Sequence, residues 1–247
     1  DITMRHVLDV LLQETTGREK QTGKLWYVKT ETAQRLLGRI KTVLDYATVN
    51  EYRSGNNPAI WKGYLETQLP SPSKLSQTKH HPAIPYSEIG HFMCNLRLND
   101  AISAKTLEFL ILTAVRSGSV RMAEWPEIDL DKKLWVIPAA NTKTKQEHRV
   151  PLAPRAIKLL KSLPKLAGNP KLFPSARGKA LSDMTLSQLM RRMRERGELK
   201  VAAVPHGFRS TFRDWAAEQT SYSDEIRKAA SGHTVGDSVH QAYQRTD

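Results

Sequence analysis

One aperiodic segment divides the chain and limits how large any single core can be. Residues 69–85 read LPSPSKLSQTKHHPAIP, are rich in proline, serine and lysine, and carry no sustained apolar repeat. That composition is typical of an exposed linker. A chain of 247 residues has room for a smaller and a larger domain. We therefore predict domains over 1–72 and 86–247, joined by a linker over 73–85.

The part before the linker is predicted to be a small all-α domain. Residues 31–49 place apolar side chains at helical spacing, with Arg35 and Arg39 outside that stripe. An asparagine pair before Pro58 offers a cap and a first-turn proline. A second helix is therefore predicted to continue through 60–65.

The part after the linker is predicted to be mixed and mainly helical, with a small antiparallel sheet. An apolar run over 103–116 predicts a helix, and 134–137 and 149–152 predict two short strands separated by a basic loop. Further helical segments are predicted over 153–163, 185–196, 206–219 and 237–244. The fold class predicted for the whole chain is α+β.

The charge of the chain points to a polyanionic partner. Lysine and arginine exceed aspartate and glutamate by 13, and the pI is near 9.9. Nucleic acid is the leading candidate and an anionic membrane surface the second. The sequence has neither a run of about 18 apolar residues nor an apolar leader. The predicted compartment is therefore cytoplasmic.

Metal and nucleotide cofactors are not expected. The sequence lacks clustered metal ligands at turn or helix spacing, and it lacks a glycine-rich phosphate loop. A single cysteine, Cys94, lies in an apolar run and is predicted to be a buried, inert thiol.

Several residues suited to phosphate chemistry occur in a fixed order along the second part. His206 and Arg209 stand three apart, so a helix would place both on one face, although a solvated helix face is a common explanation for such a pair. Their context is wider: an arginine follows an apolar run, a lysine lies in the hairpin loop, and a Gly-His and a tyrosine come last. These further residues are Arg116, Lys143, Gly232, His233 and Tyr243.

This order resembles the tyrosine recombinase family. The flanking sequences WPEIDL, RVPLAP, LFPS and TVGDSVHQAYQRTD are similar to integrases of prophages and genomic islands. The resemblance covers nearly the whole chain. It implies a partial core-binding domain over 1–72, apparently without its first helix, and a catalytic domain over 86–247. It also implies that an arm-binding domain is absent, so that the sequence is a fragment of a longer protein.

The resemblance implies a role for each residue of the motif. Arg116 and Arg209 would clamp the nonbridging oxygens of a phosphodiester, because guanidinium matches phosphate geometry. Tyr243 would attack the phosphorus and form a 3′-phosphotyrosyl link without ATP. His206 would activate the tyrosine hydroxyl, and Lys143 would protonate the departing 5′-oxygen. His233 would hydrogen-bond the phosphate.

Alternatives remain open for several of these residues. Lys145 lies in the same loop as Lys143, and Tyr222 is a second downstream tyrosine, although it precedes the Gly-His. His240 could contact Tyr243 on a helix. The remaining histidines of interest are expected to face DNA or solvent: His80, His81 and His148.

One position departs from the pattern of the family. Integrases of this type often carry an acidic residue three after the first arginine, and Ser119 occupies that position here. This departure leaves Glu124 or water to orient the neighbouring basic groups.

The resemblance implies a site-specific recombinase that acts on double-stranded attachment sites. It implies a homotetramer on DNA, with the fragment itself a candidate monomer, and a host DNA-bending factor as a further partner. A non-cleaving DNA-binding accessory module and a type IB topoisomerase-like enzyme are the alternative functions. Basic residues expected to contact the DNA backbone are Arg35, Arg39, Lys145, Arg149, Arg191, Arg192 and Arg194.

Overall fold

The structure is a computed structural model that describes residues 2–17, 21–75 and 81–233. The chain forms two compact units, Asp1–His80 and His81–Asp247. The assignment of these parts as core-binding and catalytic domains stays a prediction.

The first unit combines helices with one short hairpin. Strands β1 and β2 pair antiparallel, with Thr15 opposite Gly23, so the prediction of an all-α domain is wrong in this detail. Both strands are three residues long and mostly exposed, and such strands leave no apolar alternation in the sequence. The elements are α1 (Met4–Leu11), β1 (Glu14–Thr16), β2 (Thr22–Lys24), α2 (Leu25–Val28), α3 (Thr30–Val49) and α4 (Pro72–Leu75).

Helix α3 confirms the helix predicted over 31–49 and supplies one wall of the first core. Leu37 and Leu44 are buried on it. The ring of Trp26 stacks on that of Trp61, with 5.4 Å between centroids, and its indole nitrogen donates to the carbonyl of Pro70 at 3.0 Å. A buried indole N–H needs such an acceptor.

The second helix predicted for this unit does not form. Asn57 does cap a turn, since its Oδ1 accepts from the Ala59 amide at 2.8 Å. The chain then passes through Gly63 at φ +77°, a left-handed conformation that ends helical hydrogen bonding. The next helical element is a short 3-10 helix, Leu65–Thr67.

The second unit is mainly helical around a three-stranded antiparallel sheet, in the order β3-β4-β5. The predicted strands are confirmed, with the second beginning one residue earlier than expected. The elements are α5 (Ile89–Arg97), α6 (Ile102–Thr113), α7 (Ser117–Met122), β3 (Ile128–Asp129), β4 (Leu134–Ile137), β5 (His148–Pro151), α8 (Pro154–Lys161), α9 (Thr185–Glu195), α10 (Gly207–Gln219) and α11 (Asp224–Ala230). The α+β fold class is confirmed.

Helix α6 lies at the centre of the second core. It packs against α5, α8, α9 and α10. The ring of Phe109 contacts Trp135 of β4 and Phe173, with centroids 5.2 and 5.5 Å away. The buried carboxylate of Glu108 accepts from Arg97 and Arg155 at 2.8 and 3.0 Å, because a buried charge needs ionic partners.

The predicted end of the linker and the predicted burial of Cys94 are both corrected by the structure. Ile84 lies in the predicted linker but is only 2% exposed and belongs to the second core; its carbonyl accepts from the Thr211 hydroxyl at 2.6 Å. Cys94 is exposed rather than buried. On α5 the buried residues are Phe92, Met93 and Leu96, so these three share the face that points to the core and Cys94 lies outside it.

Candidate active site

Arg116 lies at a sharp turn between two helices. Helix α6 ends at Thr113, earlier than the predicted 116, because Ala114 adopts a left-handed conformation at φ 51°. Arg116 itself is extended and forms the N-cap of α7. Its Nη1 donates to the carbonyl oxygen of Gly232 at 2.9 Å. The turn therefore directs the Arg116 side chain towards the backbone at Gly232.

Arg209 reaches the same turn from α10. It is only 4% exposed, and its Nη1 donates to the carbonyl of Ala114 at 2.7 Å. Burial, followed by the charges of Arg116 and Arg213, lowers the pKa of Arg209 to about 10. The guanidinium is still charged at neutral pH, and its buried Nη2 has no hydrogen-bond acceptor among the described residues. A buried cationic donor of this kind favours an anionic ligand.

The glycine between His206 and Arg209 is required by a close backbone approach. A Cβ on Gly207 would lie 2.1 Å from the carbonyl oxygen of Pro82. The same carbonyl accepts from the Val204 amide at 3.2 Å. The start of α10 is thereby packed against the segment at Pro82, which positions His206 and Arg209.

Two of the predicted histidines lie in the field of these arginines. Partial burial, then the charges of His81, Arg209, Arg116 and Lys143, lower the pKa of His206. Burial and then Arg209 and Arg116, with smaller contributions from Arg213 and His206, lower the pKa of His233. Both imidazoles are therefore mainly neutral at pH 7, the form that can accept a proton.

The Lys143 loop lies between β4 and β5. Lys143 is exposed, and its charge acts on His206. Lys145 is not among the charges that lower the pKa of that histidine, and its backbone is left-handed at φ 57°.

His148 is a member of the site that the sequence analysis missed. It was expected to face DNA or solvent, and it is partly buried beside the two arginines rather than solvated. Burial first, then Arg209 and Arg116, lower its pKa, and its Nε2 is buried without a hydrogen-bond partner among the described residues. Its ring would lie 3.2 Å from a Cβ on Gly232, which has φ +63°. Glycine therefore permits this close contact.

The strand register could have identified His148. It pairs with buried Ile137 in β4, and it precedes buried Val150 by two residues. Residues two apart in a strand share a face, so His148 points to the same side as Val150. A strand beginning at 148 rather than 149 would have indicated an inward-facing histidine beside the lysine loop.

A cavity of about 170 Å³ opens at this place. Its lining includes Arg116, Ser119, Thr144, His148 and His233. We call Arg116, His148, His206, Arg209 and His233 the basic cluster. It combines two guanidinium groups with three imidazoles of lowered pKa, which is a chemistry suited to an anionic phosphate.

Tyr243 and the alternative contact His240 lie outside the described residues, as does the helix predicted over 237–244. Tyr222 is 62% exposed. His81, which was expected to face DNA or solvent, is exposed and contacts the ring of His206 at 4.7 Å between centroids.

The predicted DNA-backbone residues lie on exposed surfaces. Several have ion pairs with nearby acids: Arg35 with Glu31 at 2.6 Å, Arg149 with Glu147 at 3.0 Å, and Arg191 with Glu195 at 3.6 Å. Such exposed pairs are weak and leave the arginines able to exchange partners. The exposed members of the prediction are Arg35, Arg39, Lys145, Arg149, Arg191, Arg192 and Arg194.

Within the described ranges, no group of three or more histidine, cysteine, aspartate or glutamate side chains is arranged to hold a metal ion. The helices of the same ranges include none that is long and apolar enough to cross a membrane.

Comparison with known proteins identifies the family. Residues 85–247 match the phage integrase family, and residues 1–64 match the phage integrase central domain. The chain therefore belongs to the phage integrase family, and the resemblance inferred from its motifs is confirmed.

Its relatives include two named integrases. The chain is 31% identical over 235 residues to the integrase of Enterobacteria phage P4, covering 88% of this chain and 51% of the relative. It is 27% identical over 219 residues to the prophage integrase IntA of Escherichia coli (strain K12), with the same two coverages. The chain thus spans about half the length of these curated relatives.

Solved structures share the fold. A lambda integrase dimer bound to a COC′ core site gives a TM-score of 0.66 at 16% identity, over 95% of this chain and 80% of that one. The Tn1549 transposon integrase in complex with a circular intermediate DNA gives a TM-score of 0.60 at 12% identity, over 100% and 86%.

Proposed function

We propose that this chain is the core-binding and catalytic part of a site-specific DNA recombinase, which cuts and rejoins DNA through a 3′-phosphotyrosyl intermediate on Tyr243. The observation that carries the proposal is the convergence of Arg116 and Arg209 on one turn, where Arg209 keeps a buried donor without an acceptor among the described residues. Membership in the phage integrase family supports it.

The two arginines would bind the scissile phosphate. Each has its Nη1 fixed by a backbone carbonyl, at 2.9 Å for Arg116 and 2.7 Å for Arg209. Fixed donors need no reorganisation when charge develops on the nonbridging oxygens in the transition state. The positive charge also offsets the repulsion between the phosphodiester and an incoming oxygen nucleophile.

The reaction would be a transesterification, in which one phosphodiester bond is exchanged for another and the bond energy is conserved. The Tyr243 oxygen bonds to phosphorus while its proton passes to neutral His206. The bond from phosphorus to the 5′-oxygen breaks, and that oxygen takes a proton from Lys143. Attack by a 5′-hydroxyl on the phosphotyrosine reverses these steps and releases the tyrosine.

The assignment of Lys143 is supported by its charge, which is among those that lower the pKa of His206. Lys145 remains the alternative in the same loop. His233, whose pKa is lowered by burial and by the two arginines, would hydrogen-bond the phosphate as a neutral imidazole.

The partner would be double-stranded DNA at the attachment sites of a prophage or genomic island, within the bacterial cytoplasm. The net charge of +13 supports binding to DNA. A homotetramer is the expected assembly, and lambda integrase has been described as a tetramer bound to a Holliday junction. A host DNA-bending factor would complete the complex.

Covalent capture on a nicked suicide substrate tests the proposal. The duplex carries the attachment core read from the junctions of the element, and the reaction contains EDTA and no ATP. We expect a protein–DNA adduct under denaturing electrophoresis with the wild type and with Tyr222→Phe, and none with Tyr243→Phe. Specific binding by the wild type without any adduct would instead indicate a binding module.

A further inference from the structure

The loop that carries Lys143 is closed at its base by Thr142. This side chain is buried, and its hydroxyl lies 3.0 Å from the Ala139 carbonyl and 2.8 Å from the Gln146 carbonyl. One hydroxyl proton can be donated to either oxygen. The backbone on the two sides of Lys143 is thereby kept close together.

Asn141, at the start of this loop, is held from two other elements. The Ser119 hydroxyl of α7 donates to the Asn141 carbonyl at 2.9 Å. The Asn141 side-chain amide donates to Oε1 of Glu127 at 3.2 Å. The second oxygen of Glu127 accepts from the indole nitrogen of Trp135 at 2.9 Å, which anchors the carboxylate to β4.

These contacts connect the lysine loop to the first arginine. Ser119 is buried in α7, whose N-cap is Arg116. Ser119 and Arg116 also line the same cavity. Helix α7 thus has Arg116 at its N-cap and carries the Ser119 hydroxyl that donates to the loop. This hydrogen bond limits how far the loop can move from Arg116.

From the sequence, Glu124 or water was expected to orient the neighbouring basic groups. The carboxylate that contacts the lysine loop belongs to Glu127. The side chain of Glu124 accepts from Lys171 at 2.8 Å, and the Asn141 amide donates to another carboxylate. Glu127 has the required contact instead. It is partly buried, which raises its pKa, and the hydrogen bonds donated by Trp135 and Asn141 offset only part of that desolvation.

We propose that Ser119 and Glu127 are positioning residues that act through Asn141 to hold Lys143 at the departing 5′-oxygen. This inference rests on the proposed recombinase function. Neither residue transfers a proton. They narrow the set of positions that the lysine ammonium occupies, and proton transfer depends strongly on such geometry.

A substrate with a sulfur leaving group separates this role from general damage. In a 5′-bridging phosphorothiolate, sulfur replaces the oxygen that departs. A thiol has a pKa of about 8.5, far below that of an alcohol, so the thiolate leaves without an acid. Loss of Lys143, or of its positioning, should then matter little.

The experiment measures single-turnover adduct formation by the whole chain on matched oxygen and sulfur substrates. The variants are Ser119→Ala and Glu127→Gln, with Lys143→Ala as the reference. The matched control is Glu124→Gln, the same carboxylate-to-carboxamide change three residues from Glu127, which neutralises the partner of Lys171 and leaves the hydrogen bonds of Asn141 in place.

On the oxygen substrate we expect Lys143→Ala to be slower than wild type by about 10²-fold or more. Ser119→Ala and Glu127→Gln should each be slower by about tenfold, the effect of losing one or two buried hydrogen bonds. On the sulfur substrate all three should approach the wild-type rate, and Glu124→Gln should match wild type on both.

Two results would overturn the inference. One is an equal loss of rate on both substrates by variants whose free energy of unfolding matches that of the wild type, because protonation of the leaving group is then not the step they affect. The other is wild-type behaviour of both variants on the oxygen substrate. Failure of the recombinase proposal looks different, because the wild type itself then forms no adduct with either substrate.

Discussion

Arg209 donates to the carbonyl of Ala114, the left-handed residue that ends α6 two positions before Arg116. A single turn therefore holds one arginine by a hydrogen bond and directs the other by its backbone. The two guanidinium groups are separated by most of the second unit in sequence, yet their positions depend on each other.

Replacing Arg209 with lysine should abolish most of the cleavage activity. Lysine keeps the charge but cannot hold the Ala114 carbonyl and a phosphate oxygen with one planar group. We expect adduct formation to fall by about 10²- to 10³-fold, measured by single-turnover kinetics. Arg213→Lys on the same helix is the control, because it retains the charge that faces Asp224. A similar loss of adduct formation in Arg213→Lys would show that the effect does not depend on the hydrogen bond between Arg209 and Ala114.

Gly207→Ala should destabilise the protein. The new methyl group would lie 2.1 Å from the Pro82 carbonyl and 3.0 Å from the Ala83 Cα, and both are backbone atoms. The required shift should cost about 1–3 kcal/mol, measured as the free energy of unfolding in denaturant. Gly90→Ala, where nothing lies within 4 Å of the added Cβ, should not be destabilising. Equal stability of the two variants would contradict the close approach at Pro82.

Stability should fall as the pH is lowered below the ordinary histidine value. Burial is the first cause that lowers the pKa of His148, His206 and His233 from 6.5. The unfolded chain then binds more protons than the folded one, so this stability is fully present above pH 6.5 and is lost as the pH falls through the folded-state pKa values. Glu127 has a raised pKa and the opposite effect: its contribution is present below the ordinary value of 4.5 and is lost as the pH rises through its folded-state pKa.

Thermal unfolding between about pH 5.5 and pH 7.5 measures this dependence. His148→Asn removes one titrating group from the basic cluster and should flatten the curve. His91→Asn is the control, since His91 is exposed on α5 and does not belong to the basic cluster. A curve of unchanged slope in His148→Asn would argue against burial of its imidazole.

Arg192→Gln should weaken DNA binding by a similar factor for all sequences. Arg192 is exposed on α9, and a backbone contact carries no base information. Loss of one phosphate contact should reduce the slope of log affinity against log salt by about 0.9. Arg177→Gln, another exposed arginine of the same unit, is the control. An unchanged slope in Arg192→Gln would place α9 away from the DNA.

Local patterns in the sequence predicted many of the elements. Periodicity gave α3 and α6, although α6 ends earlier than its apolar run because Ala114 turns left-handed. The same method failed at Gly63, where one backbone conformation prevents the predicted helix. It also missed the polar hairpin of β1 and β2, because exposed strands need no apolar alternation.

The order of the motif residues gave the chemistry but not its surroundings. The resemblance of this order to the tyrosine recombinase family implied Arg116, Lys143, His206, Arg209, His233 and Tyr243 as the proposed machinery, and phosphate transfer does need fixed cations, a proton acceptor and a nucleophile. Residues whose role arises only from packing could not be found in this way. Ser119 and Glu127 share a proposed role only because both form hydrogen bonds with Asn141.

The sequence by itself determined the family, the residue types available for chemistry and most of the regular elements of the second unit, since these follow from local spacing and from motifs. Tertiary structure decided that His148 is half-buried beside the arginines, that Arg209 has a buried nitrogen without a described acceptor, and that Gly207 must lie against Pro82. The physical reason is that burial and desolvation depend on segments distant in sequence, and only folding brings those segments together.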